Sequence, residues 1–206
     1  VTTAGIANAG ITNLGDGVIA RNLTIRVNAT VNWTYGINGN NQNCTIEDID
    51  FEFYGDGVQR PVGFVDNSLT ARTITLRGIR VRQITGAPQG DAVQLGVSAA
   101  SDNKTLWIID CHLNPAGNAV TLTASAARHT FEFINSYLYG TGINTNSGGL
   151  IKDCLCDDLV LSAGAAGFGN ITCYGSYFDE VKNHDTARAI NAFGCLARTL
   201  QADTAS

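Results

Sequence analysis

The chain of 206 residues contains no methionine, only 3 prolines and few charged residues, which make up 15% of the sequence. No stretch approaches the roughly 20 consecutive apolar residues of a membrane-spanning helix, so we predict a soluble chain without membrane insertion. The first residues have neither the basic nor the apolar region of a signal peptide. The absence of methionine indicates either that an initiator methionine preceded Val1 or that the chain is a segment of a longer protein.

Positive charge is also scarce, with 13 Lys and Arg against 18 Asp and Glu and a net charge of −5. Nucleic acids and anionic membranes attract clustered positive charge, so neither is expected as a partner. What the sequence does contain is 23 glycines, with many Asn and Thr residues, which indicates frequent turns between short strands. The length suits a single domain, which we predict over residues 1–206.

An eight-residue pattern recurs six times: apolar, any, apolar, any, turn residue, small or apolar, any, apolar. The copies are 44–51, 74–81, 106–113, 131–138, 149–156 and 171–178. The turn residue is always Asp, Asn or Gly, the types that most readily adopt a left-handed backbone. The alternation on either side predicts two short strands, each with one buried face. A looser seventh copy precedes them at Leu23, Ile25 and Val27.

A second motif falls in the gaps and predicts another strand in each repeat. Its three copies are Gly55–Gln59, Gly90–Leu95 and Gly117–Leu122. No amphipathic helix follows these strands, which excludes a βαβ architecture and favours a solenoid whose coils pair only with their neighbours. Since parallel crossover connections are almost always right-handed, we predict an all-β, right-handed parallel β-helix of about six to seven coils. A β-sandwich is the alternative, but its strands would not share one side-chain pattern.

The predicted helix divides into a lead-in over residues 1–21, coils over 22–181 and a C-terminal cap or tail over 182–206. Solenoids need covered ends, and residues 186–202, rich in Ala, Leu and Arg, are predicted to form a short capping helix.

Stacking the copies in register assigns residues to the core. The inward positions are Ile46, Leu76, Ile108, Phe133, Ile151 and Cys173 before the turn, and Ile49, Ile79, Cys111, Ser136, Cys154 and Ser176 after it. Five of the six cysteines also point inward, namely Cys44, Cys111, Cys154, Cys156 and Cys173. We therefore predict buried free thiols, with no disulfide, metal site or cofactor.

Outward positions in the first two copies carry opposite charges. Glu47 lies opposite Arg77, Asp50 opposite Arg80 and Glu52 opposite Arg82. This arrangement predicts three cross-strand ion pairs that fix the register and add little stability.

Farther along the chain the outward positions become aromatic and apolar. The candidate binding residues are Trp107, Tyr137, Tyr139, Tyr174 and Tyr177. An extended exposed patch of this kind marks an interface between subunits, a platform for the apolar faces of sugars, or a surface covered by the chain's own C-terminal tail. The sequence leaves these three interpretations open.

Hydrolysis of a glycan would need two carboxylates beside a groove. Asp91, Asp157 and Asp158 are the candidate catalytic residues, and His112 is a candidate base. Each Asp also fits the structural role of a turn residue that bonds its own backbone. The sequence therefore does not establish an enzyme.

Two segments resemble polysaccharide-degrading β-helix families. Gly90-Asp91-Ala92-Val93 is similar to a Gly-Asp-Asp segment of polygalacturonase-type glycosidases, and Trp107 to His112 resembles a Trp-Ile-Asp-His segment of pectate lyases. These similarities imply the pectate-lyase-like β-helix superfamily rather than one activity. The enzyme hypothesis is accordingly a polysaccharide lyase or glycoside hydrolase.

The Gly- and Asn-rich opening, followed by coils of variable length, resembles bacteriophage tailspikes and tail fibres. This resemblance implies a homotrimer on the virion surface, outside the cell, that contacts other virion proteins and recognises surface polysaccharide. A purely architectural capsid or fibre decoration protein is the remaining alternative.

Overall fold

The computed structural model describes residues 9–12, 17–28, 35–38, 43–54, 62–65, 72–85, 91–97, 104–115, 117–124, 129–163 and 169–202. Within these ranges the regular structure is entirely β-strand. Nothing in this part of the chain is a helix of the length and apolarity that a bilayer crossing would require.

The strands are short and numerous. They are β1 (Ala9–Thr12), β2 (Val18–Asn28), β3 (Tyr35–Asn38), β4 (Cys44–Tyr54), β5 (Val62–Val65), β6 (Arg72–Arg77), β7 (Arg80–Thr85), β8 (Val93–Val97), β9 (Lys104–Ile109), β10 (His112–Leu113), β11 (Val120–Ala124), β12 (Thr130–Ile134), β13 (Tyr137–Leu138), β14 (Ile143–Thr145), β15 (Gly148–Lys152), β16 (Leu155–Leu161), β17 (Ile171–Tyr174), β18 (Tyr177–Asn183), β19 (Ile190–Phe193) and β20 (Leu196–Ala202).

These strands pair in parallel with the equivalent strand of the next repeat and form three walls. The first wall contains β6, β9, β12, β15, β17 and β19, and the second contains β7, β10, β13 and the beginnings of β16, β18 and β20. Strands β2 and β4 run through both. The third wall contains β1, β3, β5, β8, β11, β14 and the ends of β16, β18 and β20. This curled parallel sheet is consistent with a β-solenoid.

The register confirms the alignment of the six copies. The first residues pair as Cys44 with Ile74, Ile74 with Leu106, Leu106 with Phe131, Phe131 with Gly149 and Gly149 with Ile171. The looser copy joins the same stack, because Leu23 pairs with Ile49 and Ile25 with Phe51.

Between the first and second walls the chain bends at one left-handed residue per repeat. These residues are Asn22, Asp48, Gly78, Asp110, Asn135, Asp153, Gly175 and Gly194, with φ between 48° and 61°. The prediction that each Asp, Asn or Gly would mark a left-handed turn is therefore confirmed.

The predicted capping helix over 186–202 is wrong. That segment forms β19 and β20, which pair with β17 and β18. Residues 190–197 repeat the strand pattern, with Gly194 at φ 61° in the bend position. Pairing with the preceding repeat therefore overrides the helix propensity of Ala, Leu and Arg.

The second motif is confirmed where the structure describes it, because Val93 pairs with Val120 in the third wall. Its first copy, Gly55–Gln59, lies outside the described residues. The strand that pairs with β8 from that repeat is β5, whose Val62 lies opposite Val93.

The interior is formed by the predicted inward positions, all of which are buried. The five cysteines predicted to point inward are buried free thiols. At the bend, the Cys111 backbone N–H donates to the Ser136 hydroxyl at 3.1 Å, and Ser136 donates to the Ile134 carbonyl at 2.9 Å. Cys154 and Ser176 repeat this arrangement. Buried serines therefore accept from backbone groups at the bend.

Two of the three predicted ion pairs are confirmed, Asp50–Arg80 at 2.6 Å and Glu52–Arg82 at 2.8 Å. Glu47 is in register with Arg77, but its carboxylate contacts Arg21 instead, at 3.9 Å.

A buried arginine joins the C-terminal repeats. The Arg188 side chain is 7% exposed and contacts Asp185 at 2.7 Å. Its guanidinium also donates to the carbonyls of Asn146 and Ser162. Burial raises the pKa of Asp185, but the hydrogen bonds from Arg188 and Ala187 outweigh it and lower that pKa below its usual value.

We expect Arg188→Ala to lower the free energy of unfolding by about 3–5 kcal/mol, because it leaves the buried Asp185 carboxylate without its cation. Arg80→Ala is the matched control, since Arg80 is 58% exposed and its surface pair contributes less than about 1 kcal/mol. Urea unfolding of both variants measures the difference. Equal losses would contradict the assignment of Arg188 as a buried tie.

Substituting two glycines with positive φ distinguishes the stability lost through backbone strain from the stability lost through steric overlap. A Cβ on Gly194 would meet nothing within 4 Å, whereas one on Gly142 would meet the Asp158 backbone. We expect Gly194→Ala to destabilise by about 1–2 kcal/mol through left-handed strain alone. Gly142→Ala should lose about 1–3 kcal/mol more through overlap. Thermal unfolding tests this order, and a smaller loss for Gly142→Ala would refute the close approach.

Candidate functional site

The bend distributes the predicted aromatic residues over two walls. Trp107 and Tyr174 belong to first-wall strands, whereas Tyr137 and Tyr177 belong to second-wall strands. Tyr139 follows β13 directly and extends the second wall. All except the half-buried Tyr139 are exposed.

The main cluster on the second wall consists of His112, Tyr137 and Tyr139. His112 and Tyr137 are opposite each other in β10 and β13, and their ring centroids are 5.5 Å apart. Tyr139 lies 5.9 Å from His112, edge to face, and 6.1 Å from Tyr137. Outward side chains two residues apart face the same way on a strand, which brings the three rings together. Tyr137 is nevertheless 45% exposed, so the rings form a surface platform.

Next to this platform lie two carboxylates. Asp157 and Asp179 occupy neighbouring strands, between the register pairs Cys156–Phe178 and Asp158–Glu180. The Tyr177 hydroxyl donates to Asp179 at 3.0 Å, and this bond raises the pKa of Tyr177. The second wall therefore presents rings and carboxylates side by side.

The environment of Asp157 disfavours its charged form. Partial burial and the nearby Asp179 raise the pKa of Asp157, although a hydrogen bond from the Gly140 backbone opposes the shift. Like-charged neighbours and desolvation are the conditions that prepare a carboxylic acid to donate a proton.

The other catalytic candidates are held in structural contacts. Asp91 accepts hydrogen bonds from the Asn118 backbone at 3.0 Å and its side chain at 3.1 Å. Asp158 contacts Lys182 at 3.2 Å, and Glu180 contacts the same ammonium at 2.7 Å. The predicted candidates Asp157 and Asp158 thus have different neighbours, and the residue beside Asp157 is Asp179. His112 belongs to the ring cluster.

The cysteines lie away from this surface. Burial raises the pKa of Cys44, Cys111 and Cys173 to about 12, so these thiols are protonated at neutral pH. Within the described ranges no three His, Cys, Asp or Glu side chains form a group suited to a metal ion.

Three outward residues were missed by the sequence analysis. They are Asp179, Phe193 and Arg198. The position after the eighth residue is compared only in the first two copies, as Glu52 and Arg82, and in later consecutive repeats it contains Tyr139, Asp157, Asp179 and Arg198. Extending that comparison to the later repeats finds Asp179 and Arg198. Phe193, whose ring stacks on Tyr174 at 5.1 Å, was hidden by the predicted helix.

Comparison with known proteins finds no matching family model, no matching curated protein and no matching solved structure. Because a fold of this kind hosts many functions, the function is argued from the side chains of the walls.

We expect Asp157→Asn to raise the melting temperature at pH 7. The pKa of Asp157 in the folded state lies above the unfolded value of about 3.9, so its ionised form destabilises the fold at neutral pH. This penalty disappears once both states are protonated, and the variant should match the wild type below about pH 4. Calorimetry at several pH values measures the trend.

Asp158→Asn is the matched control from the adjacent position. It weakens the ion pair with Lys182 and should slightly lower the melting temperature at pH 7. A lower melting temperature for Asp157→Asn at neutral pH would show that the Asp157 carboxylate is stabilising.

Proposed function

We propose that the chain is a virion-attached spike or fibre protein that recognises host-surface polysaccharide. In this proposal it is a right-handed parallel β-helix with the six to seven coils expected from the sequence and one further coil at residues 190–202, in place of the expected capping helix. The observation that carries the proposal is the exposed ring platform of His112, Tyr137 and Tyr139 on the second wall.

Exposed rings on a flat wall fit sugars because aromatic faces pack against the C–H faces of a pyranose. Tyrosine also offers a hydroxyl for hydrogen bonding at the wet edge of such a contact. Asp157 and Asp179 supply acceptors for sugar hydroxyls beside the platform. An apolar surface with a few converging polar groups is the usual composition of a ligand site.

The solenoid geometry suits a polymeric ligand. Outward residues of successive coils repeat about every 4.8 Å along the axis. Tyr137, Leu155 and Tyr177 are consecutive residues of one such row. A polysaccharide lying along the second wall would meet equivalent positions in several coils.

The proposal includes a homo-oligomer, with a trimer as the expected form. Support comes from the exposed aromatic and apolar side chains on the outward faces of the walls, such as Trp107, Leu155 and Tyr174. Exposed apolar surface of this kind favours association with another chain. Attachment to a virion and an extracellular location follow from the phage resemblance alone.

A glycoside hydrolase is the second candidate, and the Asp157–Asp179 pair favours it. The backbones of neighbouring strands are about 4.8 Å apart, so the carboxyl groups of these two side chains can adopt the roughly 5–5.5 Å separation found in retaining glycosidases. The raised pKa of Asp157 suits the general acid, and Asp179 would then act as the nucleophile.

The ring platform is tested with Tyr137→Ala and its conservative control Tyr137→Phe. We expect alanine to weaken binding to the host polysaccharide at least about tenfold, because it removes the stacking face, and phenylalanine to stay within about threefold. Isothermal titration calorimetry on the purified assembly measures both. Unchanged binding by Tyr137→Ala would refute a second-wall site.

Catalysis is tested on the same polysaccharide by release of reducing ends. Cleavage that yields only saturated products and that Asp157→Asn abolishes, while binding survives, would establish the hydrolase, since a lyase would leave an unsaturated sugar. Binding without cleavage favours the spike or fibre protein. The architectural alternative holds if the assembly binds no glycan, light scattering shows an oligomer, and the tyrosine rings in that oligomer are protected from chemical modification.

A further inference from the structure

The first wall has a groove that is separate from the ring platform of the second wall. It lies over the N-terminal repeats, encloses about 240 Å³ and is lined chiefly by Ile19, Asn43, Thr45, Thr73 and Thr75. Its floor is therefore a β surface with three threonine hydroxyls. At its edge the Thr73 backbone N–H donates to the Asn43 side-chain oxygen at 2.8 Å.

An exposed indole lies next to the groove, in the same outward row. Ile19, Thr45, Thr75 and Trp107 occupy one outward row, each in register with the next. Trp107 is 38% exposed and lies about 4.8 Å along the axis from Thr75. A ligand in the groove could therefore place its hydroxyl groups on threonines and an apolar face on the ring.

A positively charged side chain stands beside this row. Arg77 is two residues from Thr75 on the same face, about 6.6 Å away, and is exposed. The neighbouring Arg80 and Arg82 contact Asp50 and Glu52. Glu47 is turned towards Arg21, and Arg77 makes no ion pair within the part of the chain that the structure describes.

We infer that Thr75, Arg77 and Trp107 form a second saccharide subsite, which takes a sugar bearing a carboxylate. The inference rests on the proposed glycan recognition and adds its location and charge class. The indole stacks on the sugar ring, Thr75 bonds a hydroxyl, and the Arg77 guanidinium binds the carboxylate, for which its planar fork is suited. The separation of these three side chains matches a single sugar unit.

Two monosaccharides that differ in one group provide the test. Methyl β-D-glucuronide and methyl β-D-glucoside are titrated into the purified protein while NMR follows the Trp107 indole N–H, which has only one other tryptophan signal beside it. We expect the glucuronide to shift this signal at concentrations about tenfold lower than the glucoside requires, as one charge-assisted hydrogen bond would provide. A Trp107 signal that neither sugar moves would overturn the inference.

Substitutions test whether Arg77 is responsible for the preference for the glucuronide over the glucoside. Arg77→Gln should reduce the tenfold preference to about onefold, whereas Arg80→Gln, with the same charge change but an arginine held by Asp50, should retain it. Thr75→Val keeps the shape of the side chain and should weaken both sugars by about threefold to tenfold through loss of one hydrogen bond. A preference that survives Arg77→Gln would refute the role of Arg77.

These experiments can refute the first-wall subsite and the second-wall site independently of each other. If Tyr137→Ala abolishes binding of the host polysaccharide but the glucuronide leaves Trp107 unmoved, the second-wall proposal stands and the first-wall subsite does not exist. If the glucuronide binds at Trp107 with the expected preference and Tyr137→Ala has no effect on the polysaccharide, the subsite stands and the second-wall proposal fails.

Discussion

The left-handed residue at each bend is the constraint on which the stack depends. It turns the chain from the first wall to the second while the residue two positions before it and the residue directly after it both point inward, so any repeat lacking it would lose its register with both neighbours. At the bend, the side chains of consecutive repeats lie against one another. Asn135 donates to Asp110 at 2.7 Å, whereas a Cβ on Gly78 would lie 2.6 Å from the Asp48 carboxylate. Gly78 is therefore the bend residue after Asp48 because the Asp48 side chain occupies the space that a Cβ would need.

This constraint separates stability from recognition. Inward residues are restricted to apolar or small side chains, because each packs between equivalent residues of the adjacent coils. Outward residues are free of that restriction, and their character changes along the axis. The second wall begins with paired charges at Asp50 and Arg80, continues through the rings at His112 and Tyr137, and ends with the exposed Leu196. One scaffold therefore carries several surface chemistries without any change to its core.

The sequence predicted the strand register, the core and the bend residues, because a period-two pattern about a turn residue determines which side chains point inward. It did not predict side-chain choices that register leaves open. Glu47 has an arginine on both neighbouring strands, and the choice of Arg21 over Arg77 depends on side-chain conformations that the register does not determine. The last coil was mistaken for a helix because its composition favours one, although pairing with β17 and β18 decides its structure. The Asp157–Asp179 neighbours were missed because the position after the eighth residue was compared only in the first two copies.

The unequal spacing of the repeats has a consequence for folding. Paired strands in the N-terminal half are 30 residues apart in sequence at Cys44 and Ile74, but those in the C-terminal half are only 18 apart at Phe131 and Gly149. Since the entropy of closing a loop grows with the logarithm of its length, closing the shorter repeat is easier by about 0.5 kcal/mol. Among the described residues, strands pair only with those of the adjacent coils, so a completed coil offers a ready edge to the next. The entropic barrier to starting the stack is therefore lowest in its C-terminal half, and lengthening a loop elsewhere changes only the step at which that coil is added.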